Sequence, residues 1–343
     1  MTVYLIFPAL AALCGLLKKK TPVCLLCGVM MFFFLTAVFP ADSPLIGVYE
    51  LLPRYPVSLI NRLDAPIGFL FPAKLISMLY PSPELLPTVL AAGFSLGVTI
   101  YIFRSCESPA VSFLLVSAGG FLLTARGDPC LFAAALIAAY AFRYAGERRF
   151  LRFAALILLT SCFSPEALLL LLLYFILILP PGIPLLLGGA ALSAVLLFTG
   201  AAPLLSGLLY GSAEVPVREG LSPVFAVTLG SLSLLAALLK PLLPKNKERE
   251  YGTAINLLFT AAFLSLIGIY EPFFTPLMIM TAFASVPVLG GAAVKTVGRL
   301  VALTFREKKK PVRIVCASVG AVCLTAWYLW LLYDHGIWFG AGG

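Results

Sequence analysis

Histidine is nearly missing from this chain: a single residue, His335, occurs in 343. Chemistry that needs a histidine cluster, whether a proton relay or a metal centre, is therefore excluded. Charge is scarce as well, at 11% Asp, Glu, Lys and Arg against 61% hydrophobic residues. No polar stretch is long enough to fold as a soluble domain; the longest, Pro40 to Pro66, is a loop. Short alternating strands are lacking, which removes a β-barrel. No internal repeat shows, which weighs against a transporter built from duplicated halves. No charge precedes the first apolar run, and Lys18-Lys19-Lys20 follows it. A signal peptide has the opposite order, so Val3 to Leu17 reads as a retained first helix.

What the chain does have is apolar length. A mean hydropathy of +1.04 makes it an all-α polytopic membrane protein. The whole of 1–343 reads as one integral-membrane domain. About twelve spans fit, near 3–17, 22–39, 86–103, 109–124, 130–145, 153–163, 167–180, 183–203, 224–243, 252–270, 273–294 and 313–333. The pieces at 153–163 and 167–180 are short for a bilayer and read as tilted, broken or buried by neighbours. Ile67 to Leu79 is shorter than a crossing needs and reads as a re-entrant or interfacial helix.

Charge then orients the bundle. With twelve spans, most of the 24 basic residues fall on one side, in clusters such as Lys18–Lys20, Arg148/Arg149/Arg152 and Lys308–Lys310. Only Arg54, Arg62, Lys74, Arg126 and Arg218 face the other way. The basic side is the cytoplasm, which places both termini outside a bacterial plasma membrane. The net charge of +9 is accounted for by topology and anionic inner-leaflet lipid, so no nucleic acid is implied. The eight cysteines carry little signal. Cys24-x-x-Cys27 has a metal or redox spacing, but it lies in an apolar helix without a nearby histidine or carboxylate. No metal and no cofactor is expected.

The outer side is where charge needs a reason. Pro40–Pro66 brings Asp42, Glu50, Arg54, Arg62 and Asp64 together in sequence. Arg126 and Asp128 sit in the turn Thr124-Ala-Arg-Gly-Asp-Pro129, and Glu166 in Ser161-Cys-Phe-Ser-Pro-Glu166. Guanidinium groups are natural ligands for a pyrophosphate, because their fork is bidentate and their charge permanent. A carboxylate in the same cavity accepts the proton of an attacking hydroxyl when its pKa is tuned. Plainer roles stand beside these. Asp128 suits the N-cap of the next helix and Pro129 its first turn. Ser164 suits a cap, with Glu166 facing outer water. Arg126 could snorkel or pair with Asp128. Arg54 and Arg62 could pair with Glu50 and Asp64 to hold the loop, and Arg218 with Glu214 and Glu219. Arg-Gly-Asp at 126–128 spells an adhesion tripeptide, which at a membrane helix end reads as a chance match.

The order of these features resembles the EpsG family, the Wzy-like polymerases of bacterial exopolysaccharide and capsule. The matching segments are Asp64-Ala-Pro-Ile-Gly-Phe69 leading into a short helix, Arg126 ahead of Phe132-Ala-Ala-Ala-Leu136, and Phe163-Ser-Pro-Glu-Ala-Leu168. Asp64 stands where the family has Glu, Ser164 or its neighbour where it has His, and Arg126-Gly127 where it has Arg-Gln. The resemblance implies a GT-C-like glycosyltransferase bundle that joins undecaprenyl-diphosphate-linked repeat units outside the membrane, without a nucleotide sugar. Arg126, Arg62 and Arg54 would then bind pyrophosphate and acceptor, with Asp64 or Glu166 as base. The partners expected are a polyprenyl-linked glycan as substrate, membrane lipids and other polysaccharide-assembly proteins. Two other readings remain open. One is a transferase using polyprenyl-monophosphate sugars, with Asp42 and Glu50 as its first-loop acids. The other is a flippase or transporter for a lipid-linked glycan.

Overall fold

In a bilayer each backbone N–H and C=O must be satisfied within its own segment, so long apolar runs become helices. The computed structural model describes residues 2–14, 19–39, 43–178, 201–210, 223–240 and 248–304, with single positions between 188 and 199. Among these every regular element is helical. The helices are α1 (Thr2–Cys14), α2 (Lys20–Val38), α3 (Pro44–Leu51), α4 (Ile67–Leu79), α5 (Leu85–Ser105), α6 (Pro109–Ala118) and α7 (Phe121–Gly127). They continue with α8 (Pro129–Gly146), α9 (Phe150–Ser161), α10 (Leu170–Leu177), α11 (Ala201–Tyr210), α12 (Pro223–Leu239), α13 (Glu248–Gly268) and α14 (Thr275–Thr304).

Among the described residues five helices, α2, α5, α8, α13 and α14, are long and apolar enough to cross a membrane, and α6 with α7 make a sixth if counted together. The protein is a multi-pass helical membrane protein. The span expected at 183–203 lies mostly outside the described residues, and the one at 313–333 wholly so.

Two spans differ from their hydropathy. The run 109–124 is not one straight rod: α6 and α7 meet at a 50° bend. The bend sits at Gly119-Gly120, where Gly120 takes φ 79°, a left-handed conformation that side-chain-bearing residues avoid. Hydropathy averages across such a pair and does not see it. The run expected to stop at 294 continues as helix to Thr304, 30 residues in all. At 1.5 Å per residue that is about 45 Å, longer than a hydrocarbon core of roughly 30 Å. Apolar length marks the bilayer, whereas a helix stops only where its backbone bonds stop.

Small residues and hydroxyls close the bundle, as expected where lipid removes the hydrophobic drive between helices. Tyr140 OH donates to the Gly97 carbonyl at 2.9 Å, joining α8 to α5. Tyr101 OH donates to the Ala284 carbonyl at 2.6 Å, and Ser112 Oγ to the Pro287 carbonyl at 2.8 Å, fastening α14 to α5 and α6. Phe283 gathers the rings of Tyr101, Phe121 and Phe132 at centroid separations of 6.0, 5.2 and 5.6 Å. Between α2 and α5 the approach is also close. Ser95 Oγ donates to the Gly28 carbonyl, and a Cβ on Gly28 would lie 2.5 Å from Thr99 Oγ1. Gly28→Val is expected to destabilise this pair by about 1–3 kcal/mol. Thermal unfolding in detergent reads that as a lower midpoint at unchanged helix content.

The two ends of the bundle are chemically unlike. At one end Lys20, Arg104, Arg143, Arg148, Arg149, Arg152 and Arg249 collect on helix termini, and Lys20 Nζ donates to the Cys106 carbonyl at 2.8 Å. At the other end lie α3, α4 and the turns before α8 and after α9.

Candidate functional site

The polar segment after α2 folds onto α4. Pro44 starts α3, and two 3-10 turns, Leu52–Arg54 and Val57–Arg62, follow it. An apolar cluster of Tyr49, Leu52, Ile60 and Leu63 packs against Phe69, Leu70 and Ala73 of α4, and it includes Leu86 of α5 and Cys130 of α8. Two polar contacts fix the docking. Lys74 Nζ donates to the Leu52 carbonyl at 2.6 Å and to the Tyr55 carbonyl at 2.9 Å. Tyr49 OH donates to the Tyr80 carbonyl at 2.6 Å, and burial raises the Tyr49 phenol above its ordinary pKa. Lys74 is 6% exposed, so a cation on an otherwise apolar helix is spent on backbone carbonyls of the loop.

At 13 residues, about 20 Å, α4 is too short to cross. Its other face exposes Phe71, Leu75 and Met78.

The start of α4 is tied to the turn after α9. Gly68 N–H donates to the Cys162 carbonyl at 2.8 Å. A Cβ on Gly68 would lie 2.7 Å from the Phe163 ring, so only glycine lets the two segments approach this closely. Asp64–Phe69 and Phe163–Leu168, a hundred residues apart along the chain, thereby touch. Cys130 brings the third segment, the turn of Arg126 and Asp128, against the same cluster.

Glu166 lies at this junction and corrects the sequence expectation. It does not face outer water; it is 1% exposed. Ser164 Oγ donates to its Oε2 at 2.6 Å, and Tyr210 OH donates to its Oε1 at 2.6 Å. Ser164 occupies the N-cap position of the turn Pro165–Leu169, but its hydroxyl makes no capping bond and turns to Glu166 instead. A carboxylate removed from water needs donors more than the turn needs a cap.

The other site residues distribute as follows. Asp128 is the N-cap of α8, its Oδ1 accepting from Leu131 N–H at 2.8 Å, and Pro129 fills the first helical position. Arg126 is exposed in the last turn of α7. Glu50, Arg54 and Asp64 are exposed on the docked loop. Arg54 makes no ion pair with Glu50 or Asp64 among the described residues, because Lys74 and Tyr49 already hold the loop through its backbone. Arg62 ends the second 3-10 turn. Asp42, Glu214, Arg218 and Glu219 lie outside the described residues.

No family model, curated protein or solved structure matches this chain.

Sequence reasoning missed two groups. Tyr210 belongs to no motif, and it lies 44 residues from the acid it contacts. Lys74 stood out as a charge inside an apolar run, but its acceptors are carbonyls, which leave no mark in a sequence. Chemically the junction offers one buried carboxylate that accepts from two hydroxyls.

Proposed function

We propose that this protein is a membrane glycosyltransferase that joins polyprenyl-diphosphate-linked glycan units, as the resemblance to the Wzy-like EpsG polymerases implies. The carrying observation is Glu166: an almost fully buried carboxylate, oriented by Ser164 and Tyr210, where the three resembling segments meet. An ionisable group kept inside a membrane bundle is costly and is retained for a task. Here the task is general base, taking the proton of the acceptor hydroxyl as the new glycosidic bond forms and the lipid pyrophosphate leaves. Asp64, exposed on the loop, fits that role less well. Arg126, with Arg54 and Arg62 across the junction, supplies the permanent charge that a leaving pyrophosphate needs. The basic end of the bundle is the cytoplasmic one, which sets the reaction at the outer face. A twelve-span GT-C-like bundle is the architecture that goes with this reading.

The reconstituted protein, given a polyprenyl-diphosphate-linked oligosaccharide, is expected to make a product ladder. Arg126→Ala should lower the rate at least tenfold at normal expression. Full output from that variant sinks the site, and turnover of only polyprenyl-monophosphate sugars sinks the donor class.

One observation favours transport as the second reading. The α6–α7 break resembles the discontinuous helices around which transporters build mid-membrane sites. Transport ranks below transfer because the buried charged side chains among the described residues, Lys74 and Glu166, both lie at the loop end and line no path through the bundle.

A further inference from the structure

The basic end holds a second, separate feature. Helices α5, α8, α13 and α14 leave a cleft of about 50 Å³ between them. Its buried lining is mostly apolar, with Ala139, Phe142, Leu257 and Val288 beside the hydroxyl-bearing Tyr101 and Thr253. Its exposed lining is charged, with Arg104 from α5, Arg143 from α8 and Glu250 from α13.

The charge at that rim is unevenly committed. Arg143 Nε lies 3.4 Å from Glu147, which Arg149 also approaches at 3.3 Å, so one acid is shared by two guanidinium groups. Arg104 has no ion pair among the described residues. Lys20 adds a further cation nearby, its ammonium 5.2 Å from the Phe103 ring centre. Among the described residues of this end, Lys20, Arg104, Arg143, Arg148, Arg149, Arg152 and Arg249 outnumber Glu107, Glu147, Glu248 and Glu250, so the field at the mouth favours an anion. Two guanidinium forks from different helices over an apolar floor suit a ligand with a phosphate on top and methylene below. Basic clefts between membrane helices are known to take lipid head groups in this way.

We propose that this cleft binds a phosphate-bearing ligand at the basic end, with an anionic phospholipid of the surrounding leaflet as its source. Arg104 and Arg143 grip the phosphate, and the first methylenes rest on Phe142 and Leu257. The site does not depend on the reaction assigned to the loop end, and it stands or falls separately.

The test uses the full-length protein in phosphatidylcholine nanodiscs doped with phosphatidylglycerol, with retained lipid counted by native mass spectrometry. One phosphatidylglycerol is expected to remain bound under conditions that strip phosphatidylcholine. Arg104→Gln combined with Arg143→Gln should lower that retention at least tenfold. Arg104→Lys, which keeps the charge and loses the fork, should give a partial loss. Arg152→Gln, at the same end but outside the lining, should retain the lipid. A thermal melt of each variant checks that it is folded, and Arg104→Lys carries the comparison if the double variant is not. In a parallel arm, inorganic phosphate is titrated into the detergent-solubilised protein. Phosphate binding that is lost with Arg104, without lipid retention, keeps the phosphate site and assigns it a soluble ligand. Equal retention in all variants, equal loss in Arg152→Gln, or no binding in either arm overturns the proposal.

Discussion

Glu166→Gln is expected to lower glycan-transfer turnover by about 10²–10⁴-fold, the usual contribution of a positioned general base. The substitution preserves the side chain's shape and removes only its charge and basicity. Ser164 and Tyr210 both donate to the carboxylate, at 2.6 Å each. A glutamine offers one accepting oxygen and one donating nitrogen, so one hydroxyl must turn away, at a cost of about 1–3 kcal/mol. That is small against a domain stability of roughly 5–15 kcal/mol, so the variant should express and fold. Tyr210→Phe separates orientation from basicity. It keeps the carboxylate but frees Oε1 from its 2.6 Å bond, and should move the pH–rate profile while leaving measurable activity. Initial rates with a polyprenyl-diphosphate donor, taken with a separate donor-binding assay, read both variants. Unchanged kcat in Glu166→Gln would remove Glu166 from the chemistry and return the role of base to Asp64.

The difference between Asp128 and Glu166 explains how far the sequence reaches. Asp128 precedes Pro129 and an apolar run, and an N-cap is a local device: every group that decides it lies within three residues. Glu166 also follows a Ser and a Pro, so the same local logic makes Ser164 a cap and points Glu166 to open water. Its environment is decided instead by Tyr210 and by the approach of Gly68 to Phe163, both distant in sequence. Apolar length similarly located α2, α5, α8 and α13 well, because a bilayer imposes one length on all of them. It blurred the α6–α7 bend, which depends on the single left-handed residue Gly120. Pairing charge with charge was the natural guess for Arg54 and Glu50. The loop is held by an ammonium on two carbonyls, a bond that every residue type can accept and no pattern announces.

Lys74→Met should undock that loop. The side chain is buried, and its ammonium is shared between the Leu52 and Tyr55 carbonyls at 2.6 and 2.9 Å. Methionine keeps most of the aliphatic stem, so α4 should still pack through Phe69, Leu70 and Ala73. What disappears is one charge-assisted bridge, with two carbonyls left to find water, about 3 kcal/mol in sum. Undocked loop should therefore rise on the order of 100-fold in population, since each 1.4 kcal/mol is tenfold. Trypsin reads this directly: cleavage after Arg54 and Arg62 should accelerate in the variant, and Lys74→Arg should restore part of the protection. Kinetics should then divide the two halves of the site. Glu166 is held by Ser164 and Tyr210, not by the loop, so kcat should fall less than KM for the lipid-linked donor rises. A fall in kcat alone, with trypsin protection intact, would mean that Lys74 acts on the chemistry and not on the loop's position. Equal protection and equal KM would mean that the apolar cluster around Tyr49 and Leu52 holds the loop unaided.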